Sequence, residues 1–556
     1  MMIFVACFGL YLGCGIWLAV DQQFFVGDSL SRVQSAQSVL FSRDPHVAAI
    51  GFIFTPLTAL AQLPMTALTP MVPSMTADAL SAVIMSAAFM AAAVYHVFGV
   101  TRDRETAWWY SVVIASLFAI QPMIVFYGAN GMSEAPFLCF MCWAARRLIR
   151  WVDSDDVHDL VTAGIALGLA YFTRYDAVAA TVGAAVLVCT VTFRRRGQTG
   201  APTRRRIQRA AVDSSLVILP PLFAFVLWAV TSWLITGNAL AQFTSEYGNS
   251  AIIEQSGTSA DSALANARFS LTELIVLFPA LPVGLVVVAA LRMRIHRFAP
   301  FAVPLLLFGS VLAFQTYSYI TGSTFGFLRF YIAVIPLGAV AAALALPAQA
   351  TVPSRRPGRF ADLPHRRALT RRGRHARTVA SMVVILCTAL SIPTSWQAMK
   401  SQTLAPQEAA LHTVLADDSD ATGARVAEDE RAARSFSTER QIAHWLDSQQ
   451  LPEGSVVVDT LYGFAIVARS SDPKQFVIPS DQDFTEILND PAGHRVRYLL
   501  SVPPRGRGTT DSLNKRYPTL FETGSDIGRL HLEVPNAGAD LPTWRVYEVL
   551  AGADPH

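Results

Sequence analysis

The chain has 556 residues, 52% of them hydrophobic and only 15% charged, with a formal net charge of +3 and a mean hydropathy of +0.38. A water-soluble domain carries about 25% charge. The composition therefore excludes a plain soluble enzyme and points to an integral membrane protein with chain to spare for a soluble domain. Six cysteines (Cys7, Cys14, Cys139, Cys142, Cys189 and Cys387) all fall in apolar stretches, so no disulfide framework is indicated. Cys139 and Cys142 have CxxC spacing, but within an apolar run a free cysteine behaves as a small buried hydrophobe. Lysine is confined to Lys400, Lys474 and Lys515, and arginine carries the remaining basic charge. With the Ala and Val content, that bias suits a GC-rich, actinobacterium-like genome.

Met1–Val20 is apolar, lacks a basic leader region and a small-residue cleavage site, and reads as the first span rather than a signal peptide. Gly9 and Gly13 within it form a close-packing pair. The loop 21–78 that follows is long and begins with polar, acidic text: Asp21-Gln22-Gln23, Gly27-Asp28-Ser29-Leu30-Ser31-Arg32, and Ser42-Arg43-Asp44-Pro45-His46. Carboxylates in a long loop against a bilayer point to chemistry at the membrane surface. Leu30, Val33, Ala36 or Gln37, and Leu40 recur at helical spacing, with Asp28 and Arg32 four apart on the other side. This predicts a short amphipathic helix in the interface. Asp44-Pro45 ends it, with Asp44 a turn former. Spacing alone leaves Asp28 with two readings, a helix N-cap and a catalytic group.

Hydrophobic length predicts about eleven spans of roughly 16–24 residues. They cover approximately 3–20, 79–99, 108–127, 133–149, 158–173, 176–193, 214–236, 270–291, 300–316, 328–347 and 378–395. Every second connecting loop is rich in arginine, and the longest such run extends from Arg355 to Arg377. The positive-inside rule makes those loops cytoplasmic. Segments 21–78, 128–133, 174–176, 237–269, 317–327 and the tail from about 396 then lie outside. The basic runs read as topology determinants that touch anionic lipid, not as a nucleic-acid surface.

Polar groups gather at the outer ends of different spans: Asp28, Asp44, Asn130, Glu134, Arg174, Asp176, Glu246, Tyr247, Tyr317, Tyr319 and Arg329. Few charges fall at mid-span, where a proton-coupled transporter needs them. A ring of this kind suits an enzyme acting on a lipid head group. Arg174 and Arg329 also fit as snorkelling anchors. Arginine is uncommon on the outer side, however, and a bound anion accounts for it there. Glu134 is also placed to favour a helix N-terminus.

At these residues the sequence resembles the GT-C superfamily of integral-membrane glycosyltransferases. It looks most like the branch of dolichyl-phosphate-mannose protein mannosyltransferases and lipid A aminoarabinose transferases. The carrying residues are Gly27-Asp28-Ser-Leu-Ser-Arg32, Ser42-Arg43-Asp44-Pro45, Phe54-Thr-Pro56-Leu, Gly131-Met-Ser-Glu134, Leu169-Ala-Tyr-Phe-Thr-Arg174-Tyr-Asp176 and Gly326-Phe-Leu-Arg329-Phe-Tyr-Ile. The resemblance covers roughly residues 1–395. It implies a polyprenyl-phosphate sugar as donor, a catalytic carboxylate at Asp28, and cationic stabilisation of the leaving lipid phosphate by Arg174 and Arg329, with Arg43 third. Asp44, Glu134, Asp176, Tyr247 and Tyr317 are further active-site candidates. Direct displacement would invert the anomeric centre. Asp28 is followed by Ser29 where the family commonly has a second carboxylate. A divalent cation is therefore not supported, and no cofactor is required.

From 396 the charge rises and long apolar runs stop. Residues 406–416 and 424–449 read as helices. Val456–Asp459, Phe476–Pro479, Val496–Ser501 and Trp544–Val549 read as strands, and Ser480–Asp490 as a helix. Asp459, at a strand end, reads as structural. The expectation is a polytopic α-helical membrane domain, 1–395, and an extracytoplasmic α/β domain, 396–556, that packs over the outer cavity and helps bind a glycan, glycolipid or protein acceptor. Mannose is the first expectation for the sugar and arabinofuranose the second. The rival readings are a polyprenyl-lipid transporter or flippase and a non-catalytic scaffold.

Overall fold

A computed structural model describes residues 1–244, 262–294, 298–346, 371–415, 431–539 and 541–550. Among them, six helices are long and apolar enough to cross a membrane: Met2–Asp21, Leu80–Arg102, Ala177–Gly197, Thr203–Thr236, Ala299–Ile320 and Thr378–Met399. Two sharply bent pairs, Trp108–Ala119 with Pro122–Ala129 and Ala263–Leu277 with Leu281–Met293, bring the number to 8. Three other expected spans are helical but depart from a plain apolar rod. Glu134–Ser154 carries Glu134, Arg146, Arg147, Arg150 and Asp153. Val157–Tyr171 is short, and Leu328–Ala343 opens as a 3-10 turn. The bend after Ala119 falls where Pro122 starts a new helix, with the Gln121 side chain accepting from the Ile124 amide.

The first loop forms the helix Gly27–Phe41, as its periodicity predicts, but it does not lie in the interface with a solvated polar side. Arg32, Gln34, Gln37 and Ser38 are buried along with Leu30, Val33, Ala36 and Val39, because the helix is covered on more than one side. One side meets Ala82 and Val83 of the Leu80–Arg102 helix. Another meets Ala465 and Ala468, which belong to the C-terminal domain. The two parts of the chain therefore share one apolar cluster, with this helix between them.

The C-terminal domain is a five-stranded sheet in the order β2-β1-β3-β5-β4. β1 is Val456–Val458, β2 Phe476–Val477, β3 Tyr498–Ser501, β4 Gly528–Val534 and β5 Trp544–Val549. β1 runs parallel to β2 and β3, and β5 runs antiparallel to β3 and β4. Alternation divides the strand residues between two cores. Val456, Val458, Leu500 and Val546 face one core, and Val457, Leu499 and Tyr547 the other. Four strands lie where the apolar alternation predicts them. β4 is an addition: it is an edge strand whose residues are mostly exposed, so Arg529, His531 and Glu533 dilute its pattern. The helix Thr460–Arg469 is a second addition, capped by Asp459, whose side chain accepts from the Leu461 amide. The expected helix over 406–416 shortens to Leu411–Leu415, and that over 424–449 is seen as Ser437–Ser448, its first part lying outside the described residues.

Candidate active site

Asp28 does not cap its helix. Val26 holds the N-cap position in extended conformation with no side-chain cap, and Asp28 sits in the first turn with its carboxylate free to reach elsewhere. Its Oδ2 accepts from Arg329 Nη2 at 3.1 Å. Arg329 belongs to the 3-10 turn Leu328–Tyr331. One turn past Asp28, Arg32 donates from Nη1 to the Asp28 carbonyl at 3.0 Å. The Arg32 guanidinium stacks 4.3 Å from the centre of the Phe54 ring. Both guanidiniums also approach the sulfur of Met132.

Glu134 opens the next helix, and Gly131 sets its approach. Gly131 has φ +76, a conformation that L side chains rarely adopt. A Cβ there would collide with Ser29 Oγ and Ala82 Cβ. The Met132–Glu134 turn can thus lie directly against the first turn of the Asp28 helix. Glu134 Oε1 accepts from Arg174 Nη1 at 2.6 Å and lies 3.9 Å from Arg329 Nε. Arg174 also binds Asp176, at 2.9 Å from Nε and 2.8 Å from Nη2. One continuous ionic chain results: Asp28, Arg329, Glu134, Arg174, Asp176. Three carboxylates face three guanidiniums, counting Arg32, and the tail's Arg507 adds a further positive influence on Asp28.

Exposure separates the members. The Asp28 side chain is 37% exposed, against 8% for Arg329 and 1% for Glu134. Asp28 is therefore the acid that a solute can reach. Enclosure by the surrounding helices pushes its carboxyl up, but Arg329 and then Arg32 outweigh that and hold it below the ordinary carboxylate value. Behind the ring, Tyr127 donates its hydroxyl to Glu408 Oε1. Glu408 is buried, and that burial pushes its carboxyl up to about 7.

The remaining candidates lie elsewhere. Arg43 is not in the ring. It reaches into the C-terminal domain, donating to Asp483 at 2.9 Å and Asp481 at 3.2 Å. Asp44 accepts from the Gln482 amide at 3.1 Å, so it too ties the loop to the tail. Tyr317 is exposed near the end of the Ala299–Ile320 helix and makes none of the ring's hydrogen bonds. Tyr247 lies outside the described residues. Among the described residues no three His, Cys, Asp or Glu side chains form a metal-ligand group. Asp28 and Glu134 turn to guanidiniums rather than to each other. Sequence reasoning missed Arg32, Tyr127, Glu408 and Arg507 as neighbours of the site. Only Arg32 carried a signal, its four-residue spacing from Asp28.

The fold is that of a known class. Over 100% of this chain and 99% of the other, it matches the crystal structure of ArnT from Cupriavidus metallidurans in the apo state, with a TM-score of 0.51 and 13% identity. At that identity the likeness concerns the fold alone. The oligosaccharyltransferase of Archaeoglobus fulgidus in the apo form is more distant, with a TM-score of 0.39 and 11% identity over 90% of this chain and 70% of that one. No curated protein matches the sequence. The class is thus a multi-pass membrane protein with an ArnT-like fold and a small C-terminal sheet domain.

Within that fold, one stretch of the chain is also similar in sequence to a known family. Residues 78–202 match the family model of the dolichyl-phosphate-mannose-protein mannosyltransferases. The matched stretch contains Glu134, Arg174 and Asp176, while Asp28 and Arg329 lie on either side of it.

Proposed function

We propose that this protein transfers a sugar from a polyprenyl-phosphate donor to an extracytoplasmic acceptor, with Asp28 as general base. The observation that carries the reading is the reachable Asp28 carboxylate held 3.1 Å from the guanidinium of Arg329. Asp28 takes the proton of the acceptor hydroxyl as that oxygen attacks the anomeric carbon. The bond from that carbon to the lipid phosphate breaks, and Arg329, with Arg174 behind it, receives the developing charge. Direct displacement of this kind inverts the anomeric configuration.

The ion pair with Arg329 makes Asp28 a weak base at rest. A donor phosphate competing for Arg329 draws that charge away and raises the basicity of Asp28 while the acceptor is bound. On this reading the site and the tail face the outside of the membrane, which the arginine distribution supports. The acceptor is a glycan, a glycolipid or a protein. Mannose is the first choice of sugar and arabinofuranose the second.

The test is a transfer assay in lipid nanodiscs with polyprenyl-phosphate mannose and polyprenyl-phosphate arabinofuranose. Asp28→Asn is expected to lower transfer about 10²–10⁴-fold, the range of general-base catalysis. Full activity in that variant would end the base assignment. No transfer by wild type from either donor would favour a polyprenyl-lipid transporter or a scaffold.

A further inference from the structure

A second polar site lies away from the Asp28 ring. A cleft of about 120 Å³ opens between the end of the first membrane helix and the C-terminal domain, lined by Gln22, Gln23, Arg434, Ser437, Arg440 and Arg469. Its two walls come from chain segments more than 400 residues apart, and one of them supplies three guanidiniums.

Arg469 is the anchor. It is only 5% exposed. Its Nη1 donates to Gln23 Oε1 at 3.2 Å, and its guanidinium lies 4.4 Å from the centre of the Phe25 ring. Its Nε is buried without a hydrogen-bond partner. Among the described residues no carboxylate lies within ion-pair distance of Arg469 or Arg440. The two acids that influence Arg469, Asp78 and Glu439, are engaged otherwise. Asp78 accepts from Gln23 at 3.2 Å, and Glu439 accepts from Asn536 and Trp544. Burial, reinforced by the charge of Arg440, brings the Arg469 guanidinium down to about 10. A buried guanidinium without a counter-charge is costly unless an anion completes it.

A second feature points the same way. Ser437, on the cleft wall, is the first residue of the helix Ser437–Ser448. That helix has no side-chain cap, since Phe436 occupies the N-cap position. The positive end of its dipole therefore faces the same space.

We propose that this cleft binds the phosphate of an anionic membrane lipid head group and so clamps the C-terminal domain to the bilayer. The lipid source is set by position. Gln22 and Gln23 come directly after Asp21, the last residue of the membrane helix Met2–Asp21. A cleft of about 120 Å³ has room for a phosphate group. The helix that ends at Arg469 packs through Ala465 and Ala468 onto the helix that carries Asp28. Lipid occupancy thus steadies the wall of the candidate active site, and the inference stands whether or not the chain transfers sugar.

The test uses the full chain in a neutral detergent and reads its thermal unfolding midpoint. Short-chain phosphatidylglycerol is expected to raise the midpoint by about 3 °C or more, and phosphatidylcholine to leave it unchanged. Arg440→Gln, a partly exposed position, is expected to abolish the shift. Arg469→Lys, which keeps the charge, is expected to retain part of it even if Arg469→Gln fails to fold. A shift undiminished in Arg440→Gln would overturn the proposal, as would an equal shift with phosphatidylcholine. An equal shift with inorganic phosphate would overturn the lipid source. A shift that appears only after Glu428, Asp429 and Glu430 are neutralised would show that the chain's own carboxylates fill the cleft, and would overturn the proposal too.

Discussion

Asp28 and Arg329 stand 301 residues apart in the chain and 3.1 Å apart in space. The contact joins the first turn of a helix packed between the two parts of the chain to a 3-10 turn at the start of a late apolar helix. Each residue depends on the other. Arg329 keeps the Asp28 carboxylate ionised, and Asp28 supplies part of the counter-charge that a nearly buried guanidinium needs.

That dependence has a pH signature. Only ionised Asp28 can act as a base, and Arg329 holds its carboxyl below the ordinary value. Wild-type kcat/KM, which reports the free enzyme, is therefore expected to stay flat as pH falls through the ordinary carboxylate range, near about 4. In Arg329→Gln the largest lowering influence is lost while enclosure and the weaker pull of Arg32 remain, so the acid limb moves upward. A pH–rate profile of kcat/KM on both proteins checks this. An unmoved limb would separate the titration of Asp28 from Arg329.

Glu134 serves two guanidiniums, Arg174 at 2.6 Å and Arg329 at 3.9 Å. Glu134→Gln leaves both buried with less compensation, and a loss of about 3–5 kcal/mol is expected. Asp176→Asn is expected to cost less, because Arg174 keeps Glu134. Denaturation of the two variants side by side gives the order, and the reverse order would show that the chain of charges is anchored at its far end.

Glu408 makes stability fall with rising pH. Its folded-state value of about 7 exceeds the unfolded value. Folded protein therefore holds a proton that the unfolded chain has released. This contribution is complete below about 4.5, the ordinary Glu range, and is lost as pH rises through about 7. Glu408→Gln is expected to flatten the stability profile across that window. A profile as steep as wild type would place the titration on another group.

Arg43 was an expected phosphate ligand, but its guanidinium is held by Asp481 and Asp483. Arg43→Ala is accordingly expected to leave KM for the donor unchanged and to loosen the tail by about 1.5–3 kcal/mol, the range for hydrogen bonds to charged groups. Limited proteolysis of the C-terminal domain reads the loosening directly. A large rise in donor KM with an intact tail would return Arg43 to the site.

The helix Gly27–Phe41 was legible because its apolar residues recur at helical spacing and Pro45 comes shortly after its end. All five side chains of the ionic chain, Asp28, Arg329, Glu134, Arg174 and Asp176, are among the candidates that placement at the outer span ends and the motifs single out. Glu408 was not legible, since a single Glu in a polar tail has no periodic partner. Its neighbour Tyr127 lies 281 residues away. That Arg43 and Asp44 turn to the C-terminal domain was not legible for a related reason. A charged pair in an outer loop looks the same whether it faces a ligand or a second domain. β4 escaped notice because an edge strand keeps polar residues on its exposed surface.

By itself the sequence determined the features set by local chemistry: the membrane class, the apolar helices, the amphipathic first loop, the strands with two buried faces, and the residue types at the helix ends. Tertiary structure alone decided which charges meet. An ion pair is a matter of a few ångströms, and charged side chains obey no period along the chain. Their partners are chosen when helix packing and the close approach at Gly131 remove the water between them.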